Sequence, residues 1–435
     1  MVRSIMVNKM VYENYLAILK KELVVALGCT EPIAIAYAGA KVREVLGHMP
    51  EHITVYCSGN IVKNVKAVTV PNSNGGKGIS VAATLGVLGG DATKELAVLE
   101  SITQENIEAC YKLLAEDFCS CELIENVANL YIVIQAIAGE NSAEVVIKDY
   151  HSNITKIVKN GEVLLTKDID SEQEEQLVFP DKKLLNVKHI LAFADSVAIE
   201  DVKEVLDCQI TYNSAIADEG LKKTYGAEVG RTLMDEFDNT NVKLRAKARA
   251  AAGSDARMSG CPLPVVINSG SGNQGITVSV PVIEYAKHLR VSAEKLYRAL
   301  VVSNLTAIHQ KRFIGSLSAY CGAVSAGCGS AAGIAYMMDM DYASICDVIT
   351  NSITNIGGMV CDGAKSSCAA KIAVAVEASI MALHLSQHNH AFQSGEGLVK
   401  DDIEQTIASV GRMARVGMKS TDVEILNIML DKIKM

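Results

Sequence analysis

Apolar residues recur at helical spacing from about Val11 to Ala26. A second helix is expected after Gly28-Cys29-Thr30-Glu31-Pro32, with Thr30 as its N-cap and Pro32 in its first turn. Ile53 to Cys57 reads as a short strand that runs into a turn, Ser58-Gly59-Asn60, and then into a glycine-rich loop, Asn72 to Gly78. Helical patterns follow over Ile79 to Leu88 and Thr93 to Leu114. From about Leu130 to Leu165 the period switches to two, with branched residues alternating in three runs. The turns between them carry Gly139-Glu140-Asn141 and His151-Ser152-Asn153, which predicts an antiparallel meander. An acidic run, Asp168 to Glu175, followed by Pro180, predicts a linker. Beyond it the alternation gives way to alanine-rich helical patterns.

The expected fold class is therefore α+β: an N-terminal α+β domain with an antiparallel sheet over residues 1–180, then an all-helical domain over 181–435. Composition agrees with an ordinary globular protein, since 49% of the 435 residues are hydrophobic and 21% charged. A net charge of −9 and no basic block argue against nucleic-acid binding. Phe313 to Met338 carries no charge and is long enough to span a bilayer, but its glycines and serines make it weakly apolar. A buried helix or helix pair is expected there, with no membrane partner. Twelve cysteines are too sparse for a disulfide scaffold, and the start lacks a signal-peptide pattern. The expectation is a cytoplasmic protein with reduced thiols and, by default, a homodimer.

Three thiols stand in a chemically distinctive setting. Cys321 lies in Ala-Tyr-Cys-Gly-Ala-Val, and Cys361 and Cys368 lie in the run Gly357 to Cys368. Their neighbours are glycine, alanine and serine, which let backbone approach whatever the sulfurs hold, whereas a packed core would want bulk. Their spacing matches no ferredoxin pattern, and it leaves Cys328 and Cys346 open as further ligands. The plain alternative is that all are small buried hydrophobes.

Several stretches together resemble the cysteine desulfidase family, sister to the α chain of iron–sulfur L-serine dehydratases. They are Gly28 to Pro32, Ser58 to Asn64, Gly253 to Met258, Ser269 to Gly275, Ile308 to Lys311, Cys321 to Val324 and the Cys361 to Cys368 line. The resemblance covers most of the chain. It implies that Cys321, Cys361 and Cys368 hold a [4Fe–4S] cluster with one iron open to substrate. It also implies an α,β-elimination that converts L-cysteine to hydrogen sulfide, pyruvate and ammonia, with L-serine dehydration as the alternative. Serine dehydratases have a longer gap between the last two cluster cysteines, and many carry a cysteine near the C-terminus. The tail Asp431 to Met435 has none, which favours the desulfidase branch.

This chemistry assigns roles. The Cα proton needs a base, and Cys29, just before a helix N-terminus that lowers a thiol's pKa, serves as that base or as the fourth iron ligand. The substrate carboxylate needs donors. Ser271, Gly272, Asn273 and Gln274 form one anion-binding turn and Ser58, Gly59 and Asn60 a second. Arg257 is a further substrate contact, or a structural ion pair with Asp255. His309 is either a proton shuttle or a satisfied structural histidine. His384, His388 and His390 fit a helix end and its exposed loop. Two other classes remain: a pyridoxal-phosphate lyase using Lys77 or Lys365, and a non-enzymatic iron or redox sensor, for which no output module is visible.

Overall fold

The computed structural model describes residues 7–167, 180–315 and 317–431, so the expected acidic linker over 168–175 lies outside the described residues. The chain opens with helix α1 (Lys9–Glu22), strand β1 (Val25–Leu27) and α2 (Thr30–Leu46). Next come β2 (His52–Ser58), α3 (Gly59–Val65), α4 (Ile79–Gly89) and α5 (Gln104–Ala115). Strands β3 (Cys119–Ile124), β4 (Tyr131–Ala138), β5 (Asn141–Lys148), β6 (Ile154–Lys159) and β7 (Glu162–Thr166) then follow in succession. The helical part contains α6 (Val187–Ser196), α7 (Ile199–Lys222), α8 (Val229–Glu236) and α9 (Val242–Met258). After a short strand, β8 (Pro264–Val266), it continues with α10 (Gly272–Leu289), α11 (Ala293–Ile314) and α12 (Gly322–Met337). The last helices are α13 (Tyr342–Asn355), α14 (Cys368–Gln387), α15 (Ile403–Arg412) and α16 (Lys419–Met429). The fold is α+β, with the sheet in the N-terminal part and helices dominating the rest.

The main sheet has strand order β3-β2-β4-β5-β6-β7. β4 to β7 form the antiparallel meander that the alternation predicts, while β3 pairs with β2 in parallel and leaves an edge. Helix α2 packs on β4 and β5, and α4 packs on α2, β2 and β3. The α2–α4 contact is unusually close: a Cβ on Gly86 would lie 2.1 Å from the Ala36 carbonyl oxygen, and one on Gly39 2.6 Å from that of Ala83. Only glycine lets the two backbones meet there.

Local details differ from the pattern. The first helix stops at Glu22, because Val25–Leu27 pairs antiparallel with Val266–Pro264 more than two hundred residues away. A short apolar run cannot reveal so distant a partner. The Thr93–Leu114 pattern divides into a 3₁₀ segment kinked at Glu95 (φ 44°) and α5, which starts at a Thr103–Asn106 capping box. Ser58-Gly59-Asn60 is not a turn: β2 runs straight into α3. The uncharged stretch 313–338 holds the end of α11 and the buried helix α12, which packs against α10, α11, α13 and α14. Among the described residues α14 alone is long and apolar enough to cross a membrane, and it packs against α9, α12 and α13. One hydrophobic core runs through both parts of the chain, including Tyr15, Ile33, Val55, Ile147, Phe193, Val324 and Val376.

Candidate active site

The site is built from helix beginnings. Cys29 is the N-cap position of α2, Ser271 that of α10 and Cys321 that of α12, while Cys368 is the first residue of α14. All four residues line one cavity of about 110 Å³. Each helix start presents unsatisfied N–H groups and the positive end of its dipole, so the cavity is electrostatically prepared for anions.

The three thiols predicted as ligands share this wall. Residues 320 and 360 form an antiparallel bridge. Around it the Cys321 N–H donates to the Met359 carbonyl at 3.0 Å and the Cys361 N–H to that of Ala319 at 2.6 Å. Two of the thiols are thus fixed by backbone rather than by loops of free geometry. Gly363 (φ 95°) brings the chain against α3, where a Cβ would lie 2.2 Å from the Lys63 carbonyl oxygen. Lys63 Nζ donates to the Cys361 carbonyl at 3.3 Å and pairs with Asp422. Burial pushes the Cys321 thiol up to about 12, with the neighbouring Cys361 sulfur adding to it, and burial likewise raises Cys368. Cys328 is buried against Gln310 Nε2 and the Ile349 carbonyl, and neither it nor Cys346 lines the cavity.

Cys29 also lines the cavity, but its environment reverses the expected acidification. Burial and then the neighbouring Glu31 carboxylate push its thiol well up, and Sγ donates to Glu31 Oε2 at 3.1 Å. Thr30 is the first helical residue rather than the cap; its hydroxyl donates to the Gly270 carbonyl at 2.9 Å, tying α2 to the loop before α10. Glu31 is the hub here. Burial alone would raise it, but His151, the Cys29 thiol and Arg257 bring it down to about 2. Asn64 Nδ2 donates to its Oε1 at 3.1 Å, and His151 Nε2 stands 3.8 Å from the same oxygen.

Arg257 makes no ion pair with Asp255, which instead accepts the Gly230 N–H at 3.1 Å. Arg257 Nη1 donates to Asn273 Oδ1 at 3.2 Å, leaving Nε and Nη2 buried without a partner. Gly272 gives this guanidinium its room, since a Cβ there would lie 2.3 Å from Nε. Ser271, Asn273 and Gln274 line the cavity, and Gln274 Oε1 is also unpaired.

Other expected residues lie elsewhere. Ser58, Gly59 and Asn60 do not line the cavity: Ser58 Oγ donates to the Asn129 carbonyl at 2.7 Å and Gly59 packs under Leu426. Because these residues start a helix, the side chain that reaches the site is Asn64, one turn beyond Asn60. His309 is fully buried away from the cavity, with Nε2 2.7 Å from Glu404 Oε2. Its ring is paired with that carboxylate and does not line the cavity. Lys77 is not at the cavity and Lys365 pairs with Asp362 at 3.2 Å, so neither presents a free amine there. The lysine that does line it is Lys311, buried with no hydrogen bond or ion pair among the described residues. Burial lowers it to about 8, against the opposing pull of Cys361 and Cys321.

Residues 93–427 match the model of the serine dehydratase alpha chain. The chain belongs to that family. Its kind of chemistry is that of a lyase. The chain is also 52% identical to a UPF0597 protein of Lachnoclostridium phytofermentans, covering 97% of this chain and 100% of that protein. It is 51% identical to a UPF0597 protein of Desulfitobacterium hafniense (97% of each) and 44% identical to one of Treponema denticola (97% and 99%).

Proposed function

We propose that the protein is an iron–sulfur lyase that eliminates hydrogen sulfide from L-cysteine, leaving pyruvate and ammonia. The observation that carries this reading is the convergence of three thiols and four helix N-termini on one small cavity.

The residues fit a cluster held by Cys321, Cys361 and Cys368. In a cubane each thiolate takes its own iron, so the sulfurs need to surround a space rather than meet at a point. Among the described residues no three side chains converge as ligands of a single ion. The unpaired Arg257, Gln274 and Tyr320 atoms around the cavity want a polar occupant. When bound, such a group supplies Lewis-acid help to the departing sulfur, worth several kcal/mol.

The chain's own groups do the rest. Arg257, positioned by Asn273, offers two free N–H donors to the substrate carboxylate, with the α10 N-terminus beside it. Cys29 Sγ takes the Cα proton. Its own proton is lost to solvent before substrate fills the site; Glu31 Oε2, held down to about 2, accepts the Sγ hydrogen bond and orients the thiol rather than taking that proton. Loss of HS⁻ from Cβ leaves an aminoacrylate, which tautomerises and hydrolyses to pyruvate and ammonia. Burial keeps water from the site until then.

The seven-residue spacing of Cys361 and Cys368 supports cysteine as substrate. The family description favours the second reading, loss of water from L-serine. The test is anaerobic reconstitution with iron and sulfide, followed by kcat/KM for both amino acids. Cys361→Ser should lose bound iron and turnover together. Cys29→Ser should keep bound iron while losing exchange of the substrate Cα proton with deuterated water. Metal-free protein that still degrades either amino acid overturns the proposal.

A further inference from the structure

A second group of thiols lies on the sheet edge, away from the cavity. Cys119 and Cys121 are two residues apart on β3, so both point to the same face of the sheet, and Cys119 Sγ lies 3.9 Å from the Ser120 carbonyl between them. Cys121 is exposed and Cys119 half-buried, while Cys57 on β2 and Cys110 on α5 sit buried behind them. Ser80 Oγ lies 3.4 Å from Cys121 Sγ, in the first turn of α4, where the helix dipole favours a negative sulfur. Neither thiol has a part in the site described above.

We propose that Cys119-Ser120-Cys121 is a thiol–disulfide exchange site for small disulfides such as cystine, in which Cys121 attacks and Cys119 resolves. An attacking thiol needs exposure and help in carrying charge, and a resolving thiol needs to stay protonated beside it. The pair is divided in this way. The neighbouring Cys119 thiol draws Cys121 down, burial works against it and the Ser80 hydroxyl adds to the lowering. The same contact, followed by burial, holds Cys119 up.

The steps balance. The Cys121 thiolate displaces one thiolate from the small disulfide and forms a mixed disulfide. Cys119 gives up its proton to solvent and attacks the Cys121 sulfur, expelling the second thiolate. The protein dithiol loses two electrons and two protons, and the small disulfide becomes two thiols. Alternate residues on a strand have Cα atoms roughly 6.6 Å apart. That is near the upper limit for a disulfide, so the bond would be strained and readily reduced again. The site stands independently of the lyase reading.

Lys112 and Lys148 bracket a tryptic peptide, residues 113–148, in which these are the only cysteines. Reduced full-length protein incubated anaerobically with cystine should lose two hydrogens on that peptide and regain them with dithiothreitol. Cys119→Ser should instead trap one cysteinyl group on it. Cys121→Ser should form its mixed disulfide at least about tenfold more slowly. A wild-type peptide that stays reduced, or a mixed disulfide that never resolves, overturns the proposal. Equal rates in Cys121→Ser and wild type overturn the assignment of the attacker.

Discussion

Lys311 is a buried amine without a hydrogen bond or ion pair among the described residues, which is costly because desolvation penalises the charged form. Such a residue persists where something else uses its charge, and on the proposed function that is an anionic occupant of the cavity it lines. Lys311→Met should therefore raise the melting midpoint of the metal-free protein while lowering turnover of the reconstituted enzyme. The sign with pH follows from a folded-state value of about 8 against an unfolded value near 10.5. Between these the unfolded chain binds more protons, so wild-type stability gains on the variant as pH rises. The gap in midpoint should be widest below pH 8 and close toward pH 10. A variant that melts lower at pH 7 would sink this account.

At this scale the sequence points to one cavity where small residues flank the candidate side chains. The three thiols, Cys29, Arg257, Ser271, Asn273 and Gln274 are all at the cavity. Lys311, Glu31 and Asn64 stand within the same quoted stretches, but their direction depends on tertiary packing. His151 sits in a turn between strands and gave no signal at all. The electrostatics of Cys29 were also illegible, because an acidic neighbour and full burial outweigh a helix dipole worth about 1 kcal/mol.

Elements carry their own tests. Gly86→Ala forces a methyl into the Ala36 carbonyl, so α2 and α4 must separate, at about 2 kcal/mol. Denaturant titration should show the midpoint fall with little change in slope; an unchanged midpoint would mean the helices part freely. Glu404 joins three helices, accepting the Val187 N–H at 2.7 Å and pairing with His309. Burial alone would raise its carboxyl, but His309 outweighs that and lowers it. The resulting stability is present above the unfolded value near 4.5 and fades as pH falls through the folded one. Glu404→Ala should cost about 2 kcal/mol at pH 7 and progressively less as pH falls below 4.5, read from paired melts. The meander was legible because two-residue alternation is local. β1 and the β2–α3 junction were not, because a three-residue pairing and a strand that becomes a helix without a turn leave no periodic mark.

At the scale of the whole molecule, the continuous core does not depend on the cavity's contents. Metal-free protein should keep its far-ultraviolet circular dichroism and melt cooperatively. Loading iron and sulfide should raise the midpoint, since a group bound only by the native state stabilises it by mass action. Metal-free protein without a cooperative melt would mean that the thiols help to hold the fold.

The β1–β8 pairing and the Thr30–Gly270 bond tie the start of the chain to segments made far later. Cys29 leaves the ribosome roughly half a minute before Cys368 at ordinary rates of synthesis. For that interval the early thiol and its carboxylate neighbour have no cavity to face. On the proposed function, iron delivered during translation would meet an incomplete nest, and loading would follow completion of the polypeptide.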